Sequence, residues 1–362
     1  MKRCFRGIIC ILICLLFAES VFAALEARFV RAFADDHTIC TYLQLTTDGQ
    51  PVTAAEAKLN GEFCRAVSGF GTVQQMQTPV HYLLLVDCST SMPQYAGQIE
   101  EFTAALIQNA GENARFSLAS FGEVYALLAA GTGADVLEYL RNLRYDAQAS
   151  RIREGISGAL EYFKAMPRED HELRCIVALT DGITYDPGNQ KANMEIPDSL
   201  LESDALFYSV IFGTDLPAQT ELARMCTASG GYSWAVDSEK STADVVDALL
   251  QESRSFYVMD FLLPENAASG EKNLAIVFSS NGTLLCRAST SVIIPEKEMI
   301  GHTPEENAAH IETEKANPAV EEESAAQEKT DDRNNWMLTL TVTLALVFIG
   351  LLLLLIRRRK SD

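Results

Sequence analysis

Between Pro79 and Phe256, short apolar runs alternate with stretches whose apolar residues recur every three to four positions. That is the rhythm of strands alternating with amphipathic helices, as in βαβ units. Val80–Val86 is nearly all apolar, which suits a strand buried on both faces. It leads into a helix with Ile99, Phe102, Leu106 and Ile107 on one side. Arg115–Phe121 and Val124–Ala129 flank Gly122-Glu123, predicting a hairpin and an antiparallel edge. Helices are predicted around Val136–Leu143, over Ile152–Lys164, through Leu222–Met225 and around Val245–Leu250. Strands are predicted at Cys175–Thr180, Leu206–Phe212 and Tyr232–Val236. Right-handed crossovers then give an α/β fold, a mostly parallel sheet with helices on both faces.

The flanks have a different period. Phe29–Phe33, Thr38–Leu45, Ala57–Leu59 and Phe63–Val67 precede the α/β segment as short strands; Phe256–Leu262, Leu274–Ser279 and Leu284–Ile294 follow it. Neither flank alone has strands enough to enclose a core, so residues 24–78 and 257–295 are predicted to form one small β-sandwich with residues 79–256 inserted in it. Ser280-Asn281-Gly282-Thr283 is a hairpin turn, which accounts for the Asn-x-Thr sequon it also contains.

Two apolar segments bracket the chain. Residues 1–23 open with Lys2, Arg3 and Arg6, run apolar through Gly7–Ala18 and reach the small-residue site Val21-Phe22-Ala23. This is the form of a secretory signal peptide; the run is short for the alternative, an uncleaved membrane helix. Residues 336–356 are free of charge and long enough to cross a bilayer, and Arg357-Arg358-Arg359-Lys360 follows at once. Residues 296–335 carry twelve acids and four bases, which predicts a solvated, self-repelling stalk. The expected topology is a single-pass type I protein of the plasma membrane, with residues 357–362 as its cytoplasmic tail.

Charge narrows the partners. The 362 residues carry a net −20, and the part between the two basic ends holds 22 bases against 47 acids, a net of −25. Such a surface repels phosphate backbones, so nucleic acid is excluded and cations are favoured. Six cysteines lie beyond the leader. Cys88, Cys175 and Cys226 fall at positions expected in the α/β core, and Cys40, Cys64 and Cys286 in the sandwich; fifteen pairings are open.

The candidate chemistry lies where the strands end. In an open parallel sheet the binding crevice lies beyond the carboxyl ends of the strands, where this chain carries Asp87-Cys88-Ser89-Thr90-Ser91 and Thr180-Asp181-Gly182. At spacing i, i+2, i+4, Asp87, Ser89 and Ser91 point the same way. Ser150, just before the Ile152 helix, is a third approach. Three hydroxyls and two carboxylates are hard oxygen donors, which suits Mg²⁺ and not zinc. Each element also has a structural reading: Ser91 with Pro93 and Gln94 as a capping box, Ser150 as an N-cap, Asp181-Gly182 as a turn. Gly131-Thr132-Gly133 lacks the third glycine of a dinucleotide loop.

Asp87-Cys88-Ser89-Thr90-Ser91-Met92, Ser150 with Gly155 five residues on, Leu179-Thr180-Asp181-Gly182 and Ser229-Gly230-Gly231-Tyr232 occur in that order. Together they resemble the von Willebrand factor type A domain and its metal-ion-dependent adhesion site. The resemblance implies a Rossmann-like fold, a divalent ion (Mg²⁺ or Mn²⁺) held by Asp87, Ser89, Ser91, Ser150 and Asp181, and protein binding in place of catalysis. Ser150 stands where the family usually has Thr; it keeps the hydroxyl and loses the methyl that fixes the rotamer. No base sits where hydrolysis would need one, so no enzyme is expected. The expected function is capture of a protein ligand's acidic side chain at a cell surface, with a permanent assembly clamp in a membrane complex as the alternative.

Overall fold

The computed structural model describes residues 26–296, apart from 36, 48, 68, 190, 192–194 and 238. The signal peptide, the stalk beyond residue 296, the membrane segment and the basic tail lie outside the described residues. Among the described residues no helix is long and apolar enough to cross a membrane.

Before the α/β segment come β1 (Glu26–Ala34), β2 (Thr38–Thr46), β3 (Ala54–Leu59), β4 (Glu62–Cys64) and β5 (Gly71–Thr72). The segment itself runs β6 (Val80–Asp87), a 3-10 turn (Met92–Tyr95), α1 (Ala96–Asn109), β7 (Ala114–Phe121), β8 (Ala126–Gly131), α2 (Gly133–Arg141) and α3 (Ile152–Ala165). It continues with β9 (Leu173–Thr180), α4 (Asp198–Glu202), β10 (Ala205–Ile211), α5 (Leu216–Ser229), β11 (Ser233–Ala235) and α6 (Thr242–Ser255). Three strands follow: β12 (Tyr257–Leu262), β13 (Gly270–Ser280) and β14 (Thr283–Ile294).

The central sheet has the order β11-β10-β9-β6-β7-β8. Every pair is parallel except β7 with β8, the antiparallel edge. β6 and β9 are buried along their whole length, as their unbroken apolar runs require. Strand alternation divides the core. Tyr82, Leu84 and Val86 face Ile99, Phe102, Leu106 and Leu249, while Leu83 and Leu85 face Ile156, Leu160, Phe163 and Met225.

Strands from the two flanks are interleaved in two further sheets, β1-β2-β12-β5 and β14-β13-β3-β4. β12 pairs with β2 from Tyr257↔Leu43 to Leu262↔Thr38, and β13 pairs with β3. One apolar cluster, including Ile39, Leu43, Leu59, Phe261, Ile276 and Phe278, draws on both sheets. A chain of residues 24–78 alone keeps only the pairs β1–β2 and β3–β4, without β12 and β13, and is expected to show no cooperative unfolding transition, whereas 79–256 carries a complete six-stranded sheet and is expected to show one. Circular dichroism melts of the two pieces check this; a cooperative melt from 24–78 would reject the interdependence.

Several boundaries differ from expectation. The strand read as Phe63–Val67 stops at Cys64, because the chain crosses to the other sheet: Leu262 N donates to Arg65 O and Val67 N to Asp260 O. The β7–β8 link is longer than Gly122-Glu123, with β8 starting at Ala126 and a register shift opposite Leu118 and Ala119. The helix read through Leu222–Met225 spans Leu216–Ser229, and at its start the Asp215 side chain accepts from Ala218 N. The helix at 136–143 ends at Arg141.

Candidate metal centre

β6 delivers Asp87 to the carboxyl end of the sheet with no exposed surface. Its two oxygens collect donors from its own loop, from the segment before α3 and from the end of β9. Oδ1 accepts from Ser89 N at 2.9 Å, and Oδ2 accepts from the Ser150 hydroxyl and the Thr180 hydroxyl, each at 2.8 Å. Ser89 and Ser91, two residues apart, bring their Oγ atoms to 3.2 Å. Asp181, also buried, follows Thr180 at the end of β9, and its Oδ1 accepts from Ile183 N at 2.9 Å. The turn there needs Gly182, whose φ is +84°. Gly213 is needed for closeness: a Cβ on it would lie 2.5 Å from Asp181 O.

The loops are laced together through their backbones. Thr90 N donates to Ala147 O and Ala147 N to Cys88 O, joining the Asp87 loop to the segment before α3. Ser150 N donates to Tyr185 O at 2.7 Å and Tyr185 N to Ser150 O at 3.0 Å, joining that segment to the loop after β9. Met92, following Ser91, is fully buried and anchors its loop in the core.

The capping readings do not describe Ser91 and Ser150, whereas Asp181-Gly182 does form the expected turn, with Asp181 accepting from Ile183 N. Ser91 occupies an N-cap position without a side-chain cap bond; its hydroxyl meets Ser89, and Gln94 reaches back to Ser91 O. Ser150 is not the cap of α3, a position taken by Arg151, and its hydroxyl goes to Asp87. Thr132, by contrast, is a structural residue: it forms a capping box with Asp135 at the start of α2.

Burial pushes the Asp87 carboxyl above its usual range, against the pull of hydrogen bonds from the Ser89 backbone and side chain, Thr180 and Ser150. A cation at this point would offset that burial, and the donors on offer are carboxylate and hydroxyl oxygens. Among the described residues no group of three or more His, Cys, Asp or Glu is placed to hold a metal; the oxygens gathered around Asp87 are hydroxyls. The structure thus brings Asp87 into direct contact with Ser150, and Ser89 with Ser91. Thr180, the last residue of β9, is a partner of Asp87 that the five candidate ligands do not include; it sits inside the Leu179–Gly182 motif.

Residues 82–183 match the von Willebrand factor type A domain family, a span that includes all five candidate ligands. No curated protein matches the chain. Among solved structures, the manganese-loaded TRAP protein of Plasmodium vivax is similar at 13% identity, with 64% of this chain and 100% of that chain covered and a TM-score of 0.42. An aerotolerance-related membrane protein of Bacteroides fragilis is similar at 15% identity, with 48% and 98% covered and a TM-score of 0.38. Proximal thread matrix protein 1 of the mussel byssus, with a zinc-occupied MIDAS motif, is similar at 16% identity, with 52% and 47% covered and a TM-score of 0.38.

Proposed function

We propose that the Asp87 end of the sheet, within the residues 82–183 that match the von Willebrand factor type A domain family, is a metal-dependent protein-binding site. Asp87, Ser89, Ser91, Ser150 and Asp181 are the residues that would hold Mg²⁺ or Mn²⁺, directly or through water. When bound, the ion supplies a coordination position open to a carboxylate from outside. One observation carries this reading: a fully buried carboxylate at a strand end gathers hydroxyls from residues 63 and 93 positions away. With hydroxyls binding directly and a carboxylate acting partly through water, the ion keeps positive character at its open position, which favours an acidic partner over a cation cage closed by acids. On this reading the domain acts as a binding module. The leader, the acidic stalk and the apolar segment at 336–356 support a cell-surface protein anchored in the plasma membrane by one span.

The test is capture of partners by the purified full chain with Mg²⁺ and with chelator. Capture through the ion predicts that chelator releases the bound protein; a complex that stays intact favours the assembly-clamp alternative. Calorimetric titration adds a direct check. Ser150→Ala is expected to weaken Mg²⁺ binding roughly tenfold, and Ser150→Thr to keep or improve it, since Thr retains the oxygen and restricts χ1. A wild-type chain that binds neither Mg²⁺ nor Mn²⁺ at millimolar concentration overturns the reading.

A further inference from the structure

The residue after Ser150 is an arginine in a place that helix electrostatics disfavours. Arg151 is the N-cap residue of α3, makes no side-chain cap bond there, and brings a cation to the positive end of a helix. Its contacts indicate another task. Arg151 N donates to Gly122 O at 3.0 Å and its Nη1 to Glu123 O at 3.1 Å, so backbone and side chain together hold the turn after β7. Its Nε lies 3.3 Å from Asp186 Oδ1, on the loop after β9, and its Nη1 lies 3.7 Å from Glu154 Oε1, in the first turn of α3. The Glu123 carboxylate reaches back in turn and accepts from Gln148 N at 2.7 Å. The guanidinium is about two-thirds covered and Asp186 more so, which limits screening of that pair.

We propose that Arg151 is the positioning residue of the metal site, a clasp that holds Ser150 in place by tying the 147–151 segment to the turn at Gly122-Glu123 and to the loop carrying Asp181 and Asp186. The proposal rests on the metal-binding reading. Its physical motive is the serine. A threonine at position 150 would be held in its rotamer by its own β-branch, whereas a serine hydroxyl is oriented only as well as its backbone is fixed. A planar, forked guanidinium serves two loops at once, which an ammonium cannot do in the same geometry.

The experiment uses the full chain with Arg151→Ala, Arg151→Lys, Ser150→Thr and the double variant Arg151→Ala/Ser150→Thr. In chelator, amide exchange is followed at Ser150 and Tyr185, the two residues whose N–H groups bridge the loops. The clasp predicts faster exchange at both in Arg151→Ala, with the thermal midpoint of the domain little changed. With Mg²⁺, calorimetry is expected to show affinity about tenfold weaker for Arg151→Ala, with an intermediate value for Arg151→Lys. Adding Ser150→Thr to Arg151→Ala is expected to return most of the lost affinity, a rescue that general loss of structure does not produce. Unchanged exchange in Arg151→Ala overturns the clasp, as does wild-type affinity in that variant or a double variant no better than Arg151→Ala. Should the wild type itself bind no Mg²⁺, the metal reading fails separately, and exchange in chelator still decides whether Arg151 holds these loops.

Discussion

Asp87→Asn is expected to leave a chain that folds as well as the wild type in chelator and binds Mg²⁺ at least roughly a hundredfold more weakly. The side chain keeps its shape, and Ser150 and Thr180 carry rotatable hydroxyls that adapt to an amide. What is lost is a formal charge at a position where burial already opposes charge. In chelator, losing that charge is neutral or stabilising; with a hard divalent ion it removes one of two carboxylates, a larger loss than the ten- to hundredfold typical of outer-shell partners. Thermal unfolding gives a matched readout. Ligand at about a hundred times its dissociation constant stabilises a folded state by about 2.7 kcal/mol, so Mg²⁺ should raise the wild-type midpoint and leave the variant's unmoved. A variant whose midpoint still climbs with Mg²⁺ would remove Asp87 from the site.

The second large effect belongs to the opposite end of the sheet. Glu172, at the start of β9, is almost wholly buried with Arg174 and His81. Its Oε2 accepts from Arg174 Nε at 2.9 Å, and His81 Nδ1 lies 3.7 Å from Oε1. Burial opposes its charge, but the hydrogen bond and charge of Arg174, with His81 close by, outweigh burial and bring the carboxyl down to about 2. Arg174 also reaches Phe163 O and Asp204, so it remains buried when Glu172 is removed. Glu172→Ala is therefore expected to destabilise the α/β domain by about 3–5 kcal/mol, the usual result of breaking a buried pair from one side.

The pH dependence follows from the direction of the shift. A depressed carboxyl stabilises the fold above its unfolded value near 4.5, and that contribution, about 3 kcal/mol, is lost as pH falls toward 2. Denaturant melts between pH 6 and roughly pH 2.5 should show this acid slope in the wild type and a shallower one in Glu172→Gln. Equal slopes would mean that another carboxylate governs acid unfolding.

What the sequence makes legible here is whatever local spacing encodes. β6 and β9 are read from unbroken apolar runs because both faces of each are covered, and α1 and α3 from their one-sided periodicity. Asp87, Ser89 and Ser91 stand out because a strand leaving the sheet sets their spacing. Long-range chemistry leaves no such trace. Tyr42 donates to Glu172 O across 130 positions, and Arg31 reaches Leu200 O across 169, so nothing near either residue announces its partner. β5, with two residues, is too short for any period to register, and residues 65–67 change sheets inside what reads as one strand. Thr180 hides for a related reason: a β-branched residue at a strand end is what the strand itself would choose. Arg151 looks like one more surface charge until Glu123 and Asp186 are seen to converge on it.

All six described cysteines are free and buried: Cys40, Cys64 and Cys286 in the flanking sheets, Cys88 beside Asp87, Cys175 and Cys226 within the α/β core. Burial pushes every one of these thiols up, Cys40, Cys88 and Cys226 to about 12, so the reactive thiolate is scarce as well as covered. The protein thereby carries its own set of unfolding clocks. An alkylating reagent marks each cysteine only when its neighbourhood opens, and the order of labelling ranks the layers by local stability. Cys88 times the metal loop, Cys175 the centre of the large sheet, and Cys286 the outer strands, with no probe added to the chain.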